Sequence, residues 1–422
     1  MKKSKLIPAL RFPEFVNEGE WEKKRVEEYF NVGSSKRVLQ QEWTSNGVPF
    51  YRTRELVSLS KNEPFSSEIF ISESLYSELL DNYGVPSEGD FLVSGVGTLG
   101  ISYQVKEGDK FYFKDGNVIW FKLLGELNST FFKYCFESEY LQGQINAQTA
   151  KSTVGTYTIQ NAKKTEFWYP PNLHEQQKIA SCLSSLDEVI SAHSQKLKLL
   201  QAHKKGLIQN LFPQEGEKVP KWRFKEFQTD GDWELTALNK ISEAVFDGTH
   251  QTPNYTESGI PFFSVENIVS GSKNKFISRE DYLNETRNNK PEYGDVLITR
   301  IGSIGISKVV DWDYEFSVYV TLAVVKKSEK FDSQFLSSYM QSNRFQKEIR
   351  GRSLLNAVPQ KINMNELREC EVLLPPKFKE QQKIASCLSS LNTLIIALSE
   401  KVEQLQQHKK GLMQGLFPKN ND

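Results

Sequence analysis

Residues 175–213 read EQQKIASCLSSLDEVISAHSQKLKLLQAHKKGLIQNLFP, and residues 380–418 read EQQKIASCLSSLNTLIIALSEKVEQLQQHKKGLMQGLFP, with 27 identities in 39 positions and no gap. Chance does not produce that similarity, so the chain is internally duplicated and its fold has to be solved only once. From Ile179 one position recurs in steps of four and three: Ile179, Leu183, Leu186, Ile190, His193, Leu197, Leu200, Lys204, Leu207 and Leu211. The second copy runs Ile384, Leu388, Leu391, Ile395, Leu398, Val402, Leu405, Lys409, Leu412 and Leu416. A period of 3.5 sustained over more than four heptads specifies a coiled-coil seam between two long helices. Within one chain the two copies meet at high effective concentration, which favours their pairing with each other over a homodimeric zipper built on the same heptads.

The ends of these helices carry their own signals. Asn172 and Glu175 after Pro170-Pro171 have the spacing of a capping box, which Lys377 in the second copy lacks. His203-Lys204-Lys205-Gly206 and His408-Lys409-Lys410-Gly411 put cations and then glycine where a helix exit favours them, and the same lysines would also suit phosphate contact. From Ile179 to Leu211 a helix extends roughly 50 Å, more than one ~34 Å turn of B-DNA.

Working outward, weaker echoes extend the duplication over almost the whole chain. Arg11-Phe12 matches Arg223-Phe224, Gly19-Glu20-Trp21-Glu22 matches Gly231-Asp232-Trp233-Glu234, and Gly47-Val48-Pro49-Phe50 matches Gly259-Ile260-Pro261-Phe262. Gly89-Asp90 with Gly97-Thr98-Leu99-Gly100 matches Gly294-Asp295 with Gly302-Ser303-Ile304-Gly305. The offset falls from 212 to 205 on the way, which puts about seven extra residues of the first copy in 57–88. Four consecutive segments follow: variable domains at 1–171 and 214–376, shared helices at 172–213 and 377–422. A shared frame carrying divergent parts implies two different targets.

The composition of all 422 residues excludes several classes of protein. With 38% hydrophobic and 12% aromatic residues the chain can build real cores, so it is not a disordered one. Its 53 basic and 53 acidic residues cancel, so nucleic-acid affinity has to come from local patches. Cys135, Cys182, Cys370 and Cys387 form no C-x-x-C pair and no metal-ligand spacing with histidine, consistent with a reducing cytoplasm and neither disulfide framework nor metal site. The basic start is broken by Pro8 and too short for a signal peptide, and no window is apolar enough for a membrane span.

The variable segments contain short apolar runs, Phe91–Val93, Val118–Phe121, Val296–Ile298 and Val318–Val325, that read as strands, with helices expected around 129–141 and 332–349. Each segment is therefore expected to be an α+β domain. Gly95-Val96-Gly97-Thr98-Leu99-Gly100 fits G-x-G-x-x-G, but Arg300 replaces its first glycine in the second copy and no helical pattern follows, so a strand-to-strand turn is the better reading. No phosphate-binding loop of the G-x-x-x-x-G-K-S/T form exists, and Trp168-Tyr169-Pro170-Pro171 has the wrong order for a methyltransferase N/D-P-P-Y/F element. The basic stretch 344–361, with Arg350, Arg352, Asn356, Gln360 and Lys361, and the acid-free stretch 143–164, with Gln148, Lys151 and Ser152, read either as nucleic-acid contacts or as solvated loops. Lys36, Arg52, Arg54, Thr98, Thr249, His250, Gln251, Arg300 and Ser303 are further candidates, since cations neutralise phosphates while Arg, Gln, Asn and Ser/Thr bond base edges.

Variable domain, helix, variable domain, helix, with Pro-Pro and then Glu-Gln-Gln-Lys-Ile-Ala at both helix starts, resembles the specificity subunits of type I restriction-modification systems across essentially the whole chain. Asp247-Gly248-Thr249-His250-Gln251-Thr252-Pro253 ahead of Gly259-Ile260-Pro261-Phe262 and Arg300-Ile301-Gly302-Ser303-Ile304-Gly305 adds to it, although the first copy has Val32-Gly33-Ser34-Ser35-Lys36 in place of Asp-Gly-Thr-His. The resemblance implies two target-recognition domains related by a pseudo-two-fold repeat and held by an antiparallel helix pair, each reading half of a bipartite double-stranded DNA site. It implies a non-catalytic cytoplasmic chain that docks two modification subunits and two restriction subunits, with S-adenosylmethionine, ATP and magnesium on those partners and no cofactor of its own. A coiled-coil scaffold without DNA readout and an unrecognised nuclease or methyltransferase are the competing classes.

Overall fold

The computed structural model describes residues 6–61, 63, 65, 67–149 and 155–419. Two 39-residue helices dominate it, α1 (Leu173–Leu211) and α2 (Phe378–Leu416). Contacts divide the chain otherwise than into the four consecutive segments expected: one unit takes the chain up to His193 and again from Lys401, and the other is Ser194–Glu400. Each unit thus contains the first half of one long helix and the last half of the other. In the first unit Asp187 of α1 pairs with Lys409 of α2 at 2.7 Å, while Ile179 and Leu183 share a core with Leu416 and Phe417. In the second, Lys204 Nζ donates to Asn392 Oδ1 at 2.9 Å, while Ile384 and Leu388 share a core with Ile208 and Leu211. Position rises along one helix as it falls along the other, so the helices run antiparallel within each unit.

The seam lies where the heptads put it. Ile179, Leu183, Ile384, Leu388 and Leu398 are buried, and Leu186, Ile190, Leu197, Leu200, Leu391, Ile395 and Leu405 are half-buried. The helix exits differ from expectation, because both helices run five residues beyond Gly206 and Gly411, to Leu211 and Leu416. Pro213 and Pro418 follow two residues after those ends, where proline cannot continue a helix. The lysines before the glycines therefore do not cap a C-terminus, and Lys204 and Lys409 turn into the seam.

At the helix starts Asn172 caps α1, its Oδ1 accepting from the His174 amide at 2.9 Å, but Glu175 does not complete a capping box. Its carboxylate instead takes a bidentate pair from Arg11, Nε at 2.7 Å and Nη2 at 2.8 Å, and a bond from Trp21 Nε1 at 3.2 Å. Arg223 and Glu380 repeat the pair at 2.8 Å and 2.8 Å. The next residue docks the helix on its domain: Gln176 accepts from the Asn128 amide and donates to the Pro170 carbonyl, and Gln381 does the same with Asp332 and Lys330. The invariant Glu-Gln of both copies is thus explained by burial and fixation of the helix start.

Each variable domain has the same topology. In the first unit an antiparallel ribbon joins Glu22–Arg25 to Glu166–Tyr169, and an antiparallel sheet has the order Phe30–Gly33, Val118–Leu123, Phe91–Ser94, Ser102–Gln104. A second sheet orders Trp43–Thr44, Phe70–Ile71, Val48–Tyr51, Tyr112–Phe113, its last pair parallel. The second unit repeats all three with Glu234–Ala237 and Glu371–Leu374 as the ribbon. The run expected as one strand over Val318–Val325 is split into Ser317–Val318 and Leu322–Val325, each in a different sheet. Each expected helix is likewise two, Ser129–Glu137 with Glu139–Thr149 and Ser333–Met340 with Asn343–Gly351, parted near Ser138 and Ser342. Phe70 and Phe276 are 206 positions apart, so most of the first copy's extra residues precede Phe70, where helix Thr53–Ser60 outlasts Val265–Ser270. No helix among the described residues is long and apolar enough to cross a membrane.

Candidate nucleic-acid interface

In the second unit three loops gather where strands Val296–Thr299 and Val245–Asp247 end. The 300–305 turn is laced to the 360–362 segment: Gly302 N donates to Gln360 O at 2.8 Å and Ile362 N to Arg300 O at 2.9 Å. The 247–252 loop is held by Thr249 N on Val318 O at 3.1 Å, Val320 N on Thr249 O at 2.9 Å, and a 3.2 Å contact of Thr252 Oγ1 with Tyr319 OH. A Cβ at Gly248 would stand 1.9 Å from the Val318 carbonyl oxygen, so only glycine allows that approach. These bonds bring Thr249, His250, Gln251, Ser303, Gln360 and Lys361 together, and all of them are exposed except Thr249, which is half-buried.

Arg300 is not among the exposed groups. It is 7% exposed and its guanidinium is spent inside the domain: Nη1 lies 2.8 Å from Asp247 Oδ2 and 3.0 Å from Val320 O, and Nε 3.2 Å from Ile362 O. Burial lowers its pKa, opposed by Asp247. A guanidinium so occupied cannot fork onto a base, so Arg300 is a bolt through all three loops. Arg352 is likewise bound, to Glu348 at 2.6 Å and Glu366 at 3.4 Å, and Arg344 donates to the carbonyls of Gln214 and Glu217. Arg350 and Asn356 remain exposed. His250 Nε2 lies 2.9 Å from Asp247 Oδ2 with its ring outward.

The first unit builds the same frame with other side chains. Tyr157 N donates to Gly95 O at 2.9 Å as Ile362 does to Arg300, and Thr98 is exposed on the turn. Lys36 is exposed, its amide on Tyr112 OH at 2.9 Å and its ammonium 5.0 Å from the Tyr83 ring centre. Arg52 and Arg54 are neutralised by a carboxylate pair, Arg52 on Glu55 at 2.7 Å and Arg54 on Glu55 at 2.6 Å and on Glu68, which explains the Arg-Thr-Arg run without DNA. Gln148 is half-buried with Oε1 lacking a partner, and Lys151 and Ser152 lie outside the described residues.

Sequence reasoning passed over Asp247 as the partner of Arg300 and over Glu175 and Glu380 as partners of Arg11 and Arg223. The second omission had a signal, since opposite charges invariant in both copies are candidates for one another. The exposed apolar residues Leu354, Leu355 and Val358 were also passed over, because nothing but three-dimensional exposure distinguishes them from core residues.

The chain belongs to the family whose model is described as the type I restriction modification DNA specificity domain, matched twice, over residues 18–202 and 231–407. It is 26% identical over 253 residues to the type I restriction enzyme MjaVIII specificity subunit of Methanocaldococcus jannaschii, covering 58% of this chain and 59% of that protein. It is 29% identical over 198 residues to the putative type I restriction enzyme MjaX specificity subunit of the same organism, covering 44% and 46%. The chain thus spans less than two thirds of these relatives' length. In fold it resembles the type I restriction-modification S subunit from M. genitalium, with a TM-score of 0.67 at 18% identity over 98% of this chain and 100% of that one. A chain from a study of complex assembly and conformational transition of the type I R-M system gives a TM-score of 0.51 at 16% identity, over 94% and 96%.

Proposed function

We propose that this chain is the DNA-specificity subunit of a type I restriction-modification complex, with each variable domain reading one half of a bipartite duplex site. The observation that carries this reading is a common loop frame built twice with different side chains at its tips. In strand register Val32 of the first unit stands where Val245 stands in the second, so Ser34 takes the place of Asp247 and Lys36 that of Thr249. A conserved frame with exchanged tips is what two different half-sites require. The family membership and the names of the curated relatives support the same reading.

The chain's own chemistry is positional. The loops bond base edges and phosphates, and the paired helices set the spacing and dock two modification subunits, which carry S-adenosylmethionine; two restriction subunits add ATP-dependent cleavage with magnesium. Methylated adenines are mapped by single-molecule sequencing in cells expressing this chain with its modification subunit, against cells lacking this chain. The expected result is a new motif of two short defined halves around a fixed spacer. No new methylation from an assembled complex overturns the reading.

A further inference from the structure

Residues 353–361 form a tight hairpin at the edge of the second unit's loop cluster. Leu354 N donates to Lys361 O at 2.8 Å and Ala357 N to Leu354 O at 3.3 Å, and Lys361 pairs in turn with Ile301 on the neighbouring turn. The backbone is therefore fixed to the same frame that presents Ser303 and His250. Its tip nevertheless carries apolar side chains into solvent: Leu354 and Leu355 are 48% exposed and Val358 is 100% exposed. Scattered exposed apolar residues need no explanation, but three in five residues on a braced hairpin form a small apolar face. In sequence the exposed amides of Asn356 and Gln360 lie among and next to these residues, and the exposed cations Arg350 and Lys361 flank them.

From this arrangement we infer that the Leu355–Val358 tip recognises the C5-methyl group of thymine in the half-site read by residues 214–376. The inference rests on the DNA reading above and deepens it. Charge complementarity selects the duplex as the occupant, because the exposed cations Arg350 and Lys361, which flank the tip in sequence, suit phosphates. An aliphatic side chain cannot bond a base edge, and the apolar group that the major groove displays is the thymine methyl. The other apolar surface of DNA is the base face, which is reached only by unstacking a step at a cost the methyl contact does not incur. The neighbouring amides match the adenine edge of the same or an adjacent pair.

The test uses the complex of this chain with its modification subunit and a duplex carrying its mapped motif. Each thymine of both half-sites is replaced singly by uracil, which deletes only the methyl, and binding is followed by fluorescence anisotropy. One or two replacements in the half-site of residues 214–376 are expected to weaken binding about three- to fivefold. A Leu355→Ser, Val358→Ser variant should bind uracil and thymine duplexes alike at those positions and keep wild-type discrimination in the other half-site. Equal uracil effects in wild type and variant, or none in the wild type, overturn the inference. So does enhanced 2-aminopurine fluorescence without a uracil effect, which marks a wedge, or loss of modification-subunit binding by the variant, which marks a protein contact. Failure to find any bipartite motif instead overturns the DNA reading itself.

Discussion

Asp187 and Asn392 occupy the same position in the two copies, 205 residues apart, and one atom separates a charged contact from a neutral one. Burial raises the Asp187 pKa, but the bond and charge of Lys409, with Lys133 and Tyr134, outweigh it and hold the carboxyl below its ordinary value. Lys204, facing Asn392, has its pKa lowered by burial with no carboxylate to oppose it. Asp187→Asn should therefore cost about 1–2 kcal/mol in urea denaturation, and Asn392→Asp should add about 1 kcal/mol. The signs with pH differ. A depressed carboxyl contributes stability above its ordinary pKa of about 3.9 and loses it as pH falls through the lower folded value. The depressed Lys204 is a cost while protonated, so stability rises as pH climbs from its lowered folded pKa towards about 10.4, and Asn392→Asp should abolish that alkaline rise. At this scale the sequence showed positions better than roles. Arg300 shares a turn with Ser303, yet whether a guanidinium faces solvent or three carbonyl and carboxylate oxygens depends on chain segments 20, 53 and 62 residues away. The first copy has Ser34 and Gly95 where the second has Asp247 and Arg300, so both members of the pair are absent together and no buried charge is left alone.

The helix and its strap are the elements on which each unit depends. Arg11 and Glu175 are 5% and 1% exposed, and removing one partner leaves the other charged and buried. Arg11→Ala should cost about 3–5 kcal/mol, whereas the Arg11→Met, Glu175→Met double variant should recover most of that loss; chemical denaturation distinguishes the two. Gly206 and Gly411 give the opposite expectation. Both lie inside helices, and a Cβ at either meets nothing within 4 Å, so alanine should stabilise by about 0.5–1 kcal/mol at each site, read as a higher melting temperature. The long helices were legible because one period runs from Ile179 to Leu211 and again from Ile384 to Leu416. Their ends were not, since a Lys-Lys-Gly signal for an exit is overridden when Ile208 and Leu211 have a core to enter. The linker after α1 shows the same tertiary control: it lies under Arg344, whose two bonds go to the carbonyls of Gln214 and Glu217, so a cluster that reads as a DNA patch is partly a clasp.

For the whole molecule the duplication was the decisive legible feature, and the sheet order within each domain was not. Strands of two to six residues carry little periodicity, and the parallel pairing of Phe50 with Tyr112 joins segments 62 residues apart, which no local pattern announces. Two copies of one topology with independent loop tips make the variable domains interchangeable parts, because each starts from the same Arg strap and ends in the same Glu-Gln helix start. Replacing residues 1–171 by a second copy of 214–376 preserves both junctions, since Arg223 would meet Glu175 as it meets Glu380. The chimera is expected to fold, to assemble with the modification subunit, and to direct methylation to a motif whose two halves contain the same bases at an unchanged spacing. Single-molecule mapping of methylated adenines reads this directly. A motif that keeps its original first half would show that recognition of that half lies outside residues 1–171. A changed spacing would show that the variable domains, and not the helix pair, set the distance between the halves.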